Sequence, residues 1–531
     1  MSARAHPLAW HHILALLLVF FAAAMSALVS RTVFERLPHL EDEVAYLFQA
    51  KTLAGGQLTV AIPEPRRAYW QPFVVDYDDS GQRFGKYSPG WPLLLAPGVL
   101  TGQPWLVNAL FAAMTVALVY RLGRELFGPD TGVIAAALTA FSPMALLLNA
   151  TLMGHTAALW ATALFMYALL RAERGRGALG WGVVGGLALG LLVINRPLTA
   201  VGVSAPFIVY AALRALMAAR RGPAALGMTL RPLLALAAVT LVISAAIPLY
   251  NYAATGDPAK NLYTLVWSYD RVGFGECCGR NVHTLEKGIG HLRFDLSLMA
   301  ADLYGWQLGS ITPELQEHLR TENGYWPLIG ISWLLLPFGL AAGARRRWTW
   351  LLALSALSLL AVHVAYWIGA QRYSARYYFE ALAALSIISA LPLAWVIRRT
   401  GRRWMVYAAL ALALLYSLYV YSTPRIEALY RFNEISRETL DGIAARRDGD
   451  RPVLVLVSGP DSGDNRVRWR ALGVLMAVTS PYLDSDIVGA WDTLRPGVRE
   501  AILARFPGRQ IIEMQAEDNY ARFVDSPSAG G

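Results

Sequence analysis

The sequence is poor in charge. Only 16% of its 531 residues are Asp, Glu, Lys or Arg, while 56% are hydrophobic. With a mean hydropathy of +0.39, that balance excludes an ordinary soluble domain. Cysteine is nearly absent, and the two present, Cys277 and Cys278, are neighbours. A bond between adjacent cysteines closes a strained ring, so the pair is expected to stay open and no disulfide framework is implied. Adjacent cysteines also miss the C-x-x-C geometry of zinc sites, which counts against a zinc set built from Cys277, Cys278, His283 and His291. The glycine-rich turn at 458–463 lacks the Walker lysine and the dinucleotide spacing. No internal repeat and no matched polar interruptions of the apolar runs are visible, which argues against a channel or a symmetric transporter. The first apolar run lacks a clear small-residue cleavage site, so it reads as a retained span.

What is present is a series of long apolar runs, at about 9–30, 104–122, 131–149, 155–171, 179–194, 197–214, 232–252, 326–343, 348–369, 375–397 and 404–421. A spanning helix needs roughly 20 apolar residues. The chain is therefore expected to be mainly α, a polytopic membrane protein of about eleven transmembrane helices. Arg121 and Arg124, then Arg171, Arg174 and Arg176, then Arg214, Arg220, Arg221 and Arg231 all follow even-numbered runs. So do Arg345–Arg347 and the group Arg398, Arg399, Arg402 and Arg403. The positive-inside bias then sets the amino terminus in the cytoplasm and the carboxyl terminus outside. The net charge of +10 is explained by these loops and by anionic headgroups, not by nucleic acid.

Two long polar loops, about 31–103 and 253–325, and the tail after 422 share the outer face. Within the first loop, Val44, Leu47 and Phe48 recur at helical spacing up to Gly55-Gly56, which predicts a short helix on the membrane surface. Trp91–Leu100, too short to span, predicts a second interfacial helix. From 423 to about 447 a charged helix is expected. Val453–Val457, Asp486–Trp491 and Gln510–Met514 read as strands, with a helix at Val498–Phe506. The domains are thus a membrane module over 1–422 and a small α/β domain over 423–531.

The chemistry gathers on the outer face. Glu41, Asp42 and Glu43 stand at a helix start, where acids complement the dipole. Beside a bilayer, one of them can also serve as general base toward an acceptor hydroxyl. Lys86 and Tyr87 precede Ser88-Pro89-Gly90, a turn that would present an ammonium group at headgroup depth. It can snorkel or meet a phosphate. Arg372 and Arg376, and Arg196 in Asn195-Arg196-Pro197, lie on the outer side against the orienting bias, and guanidinium forks bind phosphate oxygens. His155 opens the fourth span on the same side. Tyr263, Trp267, Tyr269, Glu276, His283 and His291 in the second loop suit sugar recognition.

The acidic pair Asp42-Glu43 followed by Tyr46 and Gln49, the stretch Lys86-Tyr87-Ser88-Pro89-Gly90-Trp91-Pro92 and the late Arg376-Tyr377-Tyr378 resemble the integral-membrane C-type glycosyltransferase superfamily. The nearest branches are bacterial families 39 and 83, the protein mannosyltransferases and the aminoarabinose transferases of lipid A. Ser88-Pro89 replaces the two prolines common in such relatives. The resemblance implies a bacterial inner-membrane enzyme that transfers a sugar, with inversion, from a polyprenyl-phosphate donor to an extracytoplasmic glycan, lipid or protein. It implies Asp42 as the base, with Glu43 sharing that role or orienting the acceptor. Lys86 and Arg376, with Tyr87 and Arg372, would hold the phosphate, and Tyr46, Gln49, His155, Arg196, Tyr377 and His283 would line the substrate site. No cofactor is required, although Asp42, Glu43 and His155 can offer a divalent cation a place. A glycan ligase or polymerase shares the donor chemistry. A lipid-linked sugar flippase would call for charges deep in the spans, which are scarce here.

The topology predicts that an impermeant maleimide labels Asp450→Cys on intact cells, in a chain carrying Cys277→Ser and Cys278→Ser. Labelling only after permeabilisation would reverse the orientation.

Overall fold

The computed structural model describes residues 10–309, 329–460, 465–518 and 520–524. Each of the eleven apolar runs is largely helical within those residues; the beginning of the eighth lies outside them, Ile329–Gly330 of that run is a strand, and the helix of the ninth ends at His363. The helices of the amino-terminal half are α1 (Trp10–Thr32), α2 (Glu41–Ala54), α3 (Gly90–Leu100), α4 (Leu106–Phe127), α5 (Pro129–Phe141), α6 (Pro143–Leu148), α7 (His155–Glu173), α8 (Ala178–Asn195), α9 (Pro197–Ala219), α10 (Pro223–Ser244) and α11 (Ala246–Thr255). Further apolar helices run over Leu335–Gly343, Arg347–His363, Leu382–Thr400 and Arg403–Tyr416. Among the described residues, seven helical stretches are long and apolar enough to cross a membrane unaided, fewer than the eleven expected. The third run is broken in two at Ser142-Pro143, and the eighth and ninth are shorter than 18 residues.

Small residues set the packing of the bundle. Gly182, Gly186 and Gly190 fall on one face of α8, and a Cβ on any of them would collide with Pro232, Leu236 or Ile243 of α10. Their absence lets the two backbones approach, the usual way helices associate where lipid removes the hydrophobic drive.

The first outer loop is more built than its sequence announces. After α2, β1 (Val60–Ala61), β2 (Val74–Tyr77) and β3 (Gln82–Gly85) form an antiparallel sheet in the order β1-β3-β2. The helix expected over 42–50 is present but does not lie open on the membrane surface. Nine of its fourteen residues are buried, because Ala45, Tyr46, Leu47 and Ala50 pack into the core of the membrane module and the tail covers Val44. Lys51 donates to the carbonyls of Ala477 and Thr479, and the Tyr482 hydroxyl donates to Thr52 O.

In the second outer loop, α12 (Tyr263–Val266) and α13 (Leu285–Asp302) are followed by the two-stranded pair β4 (Gln307–Leu308) and β5 (Ile329–Gly330). Cys277 and Cys278, expected to stay open, are joined to each other. Gly275 and Gly279, both at positive φ, supply the backbone freedom that two ordinary neighbours would lack. With both sulfurs joined, the zinc set has no thiolates.

A tight hairpin, β6 (Gln371–Arg372) with β7 (Ser374–Ala375), precedes the 3₁₀ turn Arg376–Ala381. The helix α13 carries it on one face. Asp295 accepts from Ala370 N, Gln371 Nε2 and the Tyr378 hydroxyl, at 3.0, 2.8 and 3.2 Å. Two turns on, Asp302 accepts from the Ser374 and Tyr421 hydroxyls at 2.7 and 2.6 Å. Burial raises the Asp295 carboxyl to about 6, against the pull of these donors.

The tail contains a sheet in the order β11-β10-β8-β9: β8 (Val453–Ser458), β9 (Ile487–Asp492) and β10 (Gln510–Ala516) are parallel, and β11 (Ala521–Phe523) is antiparallel to β10. Part of the 458–463 turn lies outside the described residues. One face of the sheet buries Val44 of α2 and the other buries Ala68 and Tyr69 of the first loop. The boundary at 422 therefore separates chain segments that share their cores. The continuous helix expected from 423 is interrupted after Glu427, because Arg431, Asn433 and Glu434 take positive φ. The break lets Asn433 Nδ2 donate to His39 O at 2.7 Å, and brings Ile435 O against the His39 ring.

Glu43, expected to share the base role or orient the acceptor, is structural. Its Oε2 accepts from His39 N, Leu40 N and the Tyr373 hydroxyl at 2.9, 3.0 and 2.7 Å, and Oε1 from Leu152 N at 2.6 Å. With 1% of its surface exposed, it binds the start of α2, the turn before α7 and the β6–β7 hairpin into one unit. Glu43→Ala is expected to cost about 3 to 5 kcal/mol by stranding these donors. The check is thermal unfolding of purified protein in detergent, and a midpoint within a degree of the parent would contradict this role.

Candidate active site

Four chain segments meet at one end of the helical bundle. The start of α2 contributes Asp42, and the turn between β3 and α3 contributes Lys86 and Tyr87. The α8–α9 junction contributes Arg196, and the turn after β7 contributes Arg376 and Tyr377. Gly90 makes the closure possible: a Cβ there would lie 2.6 Å from Ile194 O, so only glycine lets the Lys86 turn press against the end of α8. Gln49 secures the same turn, donating to Tyr87 O at 2.8 Å and the Tyr250 hydroxyl at 2.9 Å. It is a brace and not the substrate contact expected.

Asp42 is the accessible acid of the group, with one fifth of its side chain exposed. Its Oδ1 accepts from the Tyr87 hydroxyl at 2.6 Å, and its Oδ2 lies 3.6 Å from Arg376 Nη1. Burial alone would push this carboxyl up. The Arg376 charge, the Tyr87 hydrogen bond and the charges of Lys86 and Arg372 outweigh it and hold the group below its usual value. Its neighbours go the other way: burial raises both Glu41 and Glu43.

The Arg376 guanidinium stacks over Tyr377, 5.1 Å from the ring centre. Its Nε and Nη1 have no hydrogen-bond acceptor among the described residues. A buried fork with unspent donors suits an incoming phosphate or carboxylate.

Lys86 is sealed in an aromatic box. Its ammonium lies 4.0 Å from the Phe73 ring centre, 4.8 Å from Trp267, 5.0 Å from Tyr263 and 5.3 Å from Tyr87. Asp270 Oδ2 pairs with it at 3.2 Å. Burial lowers the lysine pKa despite that partner. Tyr46 packs on the same wall, its ring 4.5 Å from Tyr87.

Beyond Arg376 lies a second charged group. Arg196 Nε pairs with Glu380 Oε1 at 3.2 Å, and Arg196 Nη1 donates to His155 Nε2 at 3.1 Å. The Tyr377 ring lies between the two arginines, 5.6 Å from Arg196. Arg372 sits in the hairpin within electrostatic reach of Glu41 and Asp42. His283 is not brought to the site: it bonds Val364 O and stacks between Phe274 and His291. Among the described residues no group of three or more His, Cys, Asp or Glu is placed to hold a metal ion. Asp42, Glu43 and His155 face separate partners and do not converge.

Sequence reasoning missed Asp270 and Glu380, the partners of Lys86 and Arg196. Nothing in their spacing points across 184 positions from Asp270 to Lys86. It missed Asp295 and Asp302 too, although two acids seven residues apart share a helix face, a signal available from the pattern.

Residues 101–250 match the family model of the dolichyl-phosphate-mannose-protein mannosyltransferases. No curated protein matches the chain by sequence. The structure of ArnT from Cupriavidus metallidurans bound to undecaprenyl phosphate superposes with a TM-score of 0.57 at 14% identity, covering 94% of this chain and 93% of that one. The same protein in the apo state gives 0.52 at 12% identity, over 94% and 92%. Residues 101–250 therefore resemble that mannosyltransferase family, and the chain as a whole shares the fold of ArnT.

Proposed function

We propose that the chain transfers a sugar from a polyprenyl-phosphate donor to an acceptor on the outer side of a bacterial inner membrane. The observation that carries this reading is the meeting of Asp42, which is partly exposed, with Arg376 and Lys86, which are buried. One carboxylate and two cations are what the reaction demands. The bond from anomeric carbon to phosphate oxygen breaks as the acceptor oxygen attacks from the opposite face, so the configuration inverts. Asp42 takes the acceptor proton, and Arg376 and Lys86 meet the negative charge left on the lipid phosphate. A depressed carboxyl is a weak base. It suffices here because phosphate is a good leaving group, and orientation supplies much of the rate.

Other residues fall into supporting parts. Tyr87 holds the Asp42 carboxylate by its hydroxyl, Tyr46 backs the Tyr87 ring, and Tyr377 lies between the Arg376 and Arg196 guanidinium groups. Arg196 and His155 line the far side, and Arg372, close to Asp42 and Arg376, adds positive charge for the phosphate. This chemistry assigns no step to a metal. A polyprenyl-linked glycan ligase would use the same donor end of the site, and the acceptor decides between the two.

Asp42→Asn is expected to lower transfer at least 1,000-fold, on the order seen when an essential acid–base group is lost, while insertion and unfolding midpoint stay unchanged. The assay is transfer of radiolabelled sugar from a polyprenyl phosphate in membranes holding candidate acceptors. Full activity would sink the base assignment. Lys86→Ala or Arg376→Ala is expected to weaken donor binding about 10- to 100-fold, and unaltered binding in both would remove the phosphate role.

A further inference from the structure

Lys86, the cation assigned to the donor phosphate, already has an anion. Asp270 lies in the second outer loop and is 3% exposed. Its carboxylate is gripped at both oxygens: Lys86 Nζ reaches Oδ2 at 3.2 Å, while the Tyr366 hydroxyl and Trp367 Nε1 donate to Oδ1 at 3.1 and 3.0 Å. One ammonium, one hydroxyl and one indole N–H therefore converge on a single buried anion, inside a wall made by Phe73, Tyr263 and Trp267. That donor set is the kind a phosphate oxygen would use.

Lys86 with Asp270 is electrically neutral, and a second anion beside the pair gains little from Lys86 while it is repelled by Asp270. Resting on the proposed donor reading, we infer that Asp270 is a placeholder: its carboxylate occupies the seat of the lipid phosphate, and the donor displaces it. The segment that carries Asp270 is suited to leave. Residues 267–283 contain neither helix nor strand and turn on Gly273, Gly275 and Gly279, all at positive φ. The segment is held to the 364–367 stretch by Gly273 N donating to Ala365 O, a bridge between Val272 and Tyr366, the His283 ring on Val364 O, and edge contacts of Trp267 and Tyr269 with Trp367. An empty site thereby avoids a buried unpaired lysine, which would otherwise lose its proton. The same contact sets a threshold that only a ligand with at least the charge of a carboxylate can cross.

The test is equilibrium binding of a polyprenyl phosphate to the full chain in nanodiscs, read by intrinsic tryptophan fluorescence, since Trp267 and Trp367 border the seat. Asp270→Asn removes the charge and keeps the shape. It is expected to tighten binding about tenfold, the scale of one competing charge contact. Unchanged or weaker binding would make Asp270 a permanent orienting partner of Lys86 and overturn the inference. Lys86→Ala separates the two ideas. If it binds as the parent does, and Arg376→Ala does too, the donor reading itself fails; if only Lys86→Ala does, the placeholder falls with the phosphate role of Lys86. If it weakens binding while Asp270→Asn does not tighten it, only the placeholder is lost. Should Asp270→Asn fail to fold, amide exchange of the parent chain decides: faster exchange over 268–276 on adding the polyprenyl phosphate supports displacement, and unchanged or slower exchange refutes it.

Discussion

The buried carboxylate of Glu43 is the constraint on which the site depends. It gathers four donors from segments that are distant in sequence, at residues 39–40, 152 and 373. Each segment leads directly into a site residue: Asp42 precedes Glu43, His155 follows Leu152, and Arg376 follows Tyr373. A single desolvated acid thereby fixes the relative position of three elements. Its own negative charge is compensated by hydrogen bonds and not by a cation, so Arg376 is left to pair with Asp42. The arrangement explains why two adjacent acids differ: Glu43 spends its acceptors on the scaffold, whereas Asp42 keeps part of its surface open.

Around that point three cations of the site each have an acid beside them. Lys86 has Asp270, Arg376 has Asp42 and Arg196 has Glu380. Unpaired charges so close together at low dielectric would repel, lose protons or draw in water. Pairing keeps each cation charged and oriented while the site waits for an anion. The outer tail adds mechanical support, because its sheet shares its core with α2 and with the first loop.

Much of this was legible in the sequence. The apolar runs gave the helical membrane module, since twenty-residue hydropathy is a strong signal, and the strands of the tail were visible as short apolar runs between turns. The short lysine turn, the acids at a helix start and the arginines set against the orienting bias pointed to one region of the chain, and only the arginines depart from what a membrane protein does by default. The partners were illegible. The pairings of Asp270 with Lys86 and Glu380 with Arg196, and the contacts of Glu43 with Leu152 and Tyr373, span 109 to 330 positions, which no local spacing encodes. The joined cysteines were misjudged because the general cost of a vicinal bond was weighed without the flanking glycines at positive φ. The surface position expected of α2 ignored the tail that folds over it.

The central claim is a division of labour, with the acid on the acceptor side and the cations on the lipid phosphate. The most direct measurement is a cryo-electron microscopy map of the full chain in nanodiscs with a polyprenyl phosphate bound. The account predicts phosphate density within hydrogen-bonding distance of both Lys86 Nζ and the Arg376 guanidinium, with Asp42 facing the open side of the cavity. Phosphate density away from both cations, or seated against the cytoplasmic arginines, would contradict it.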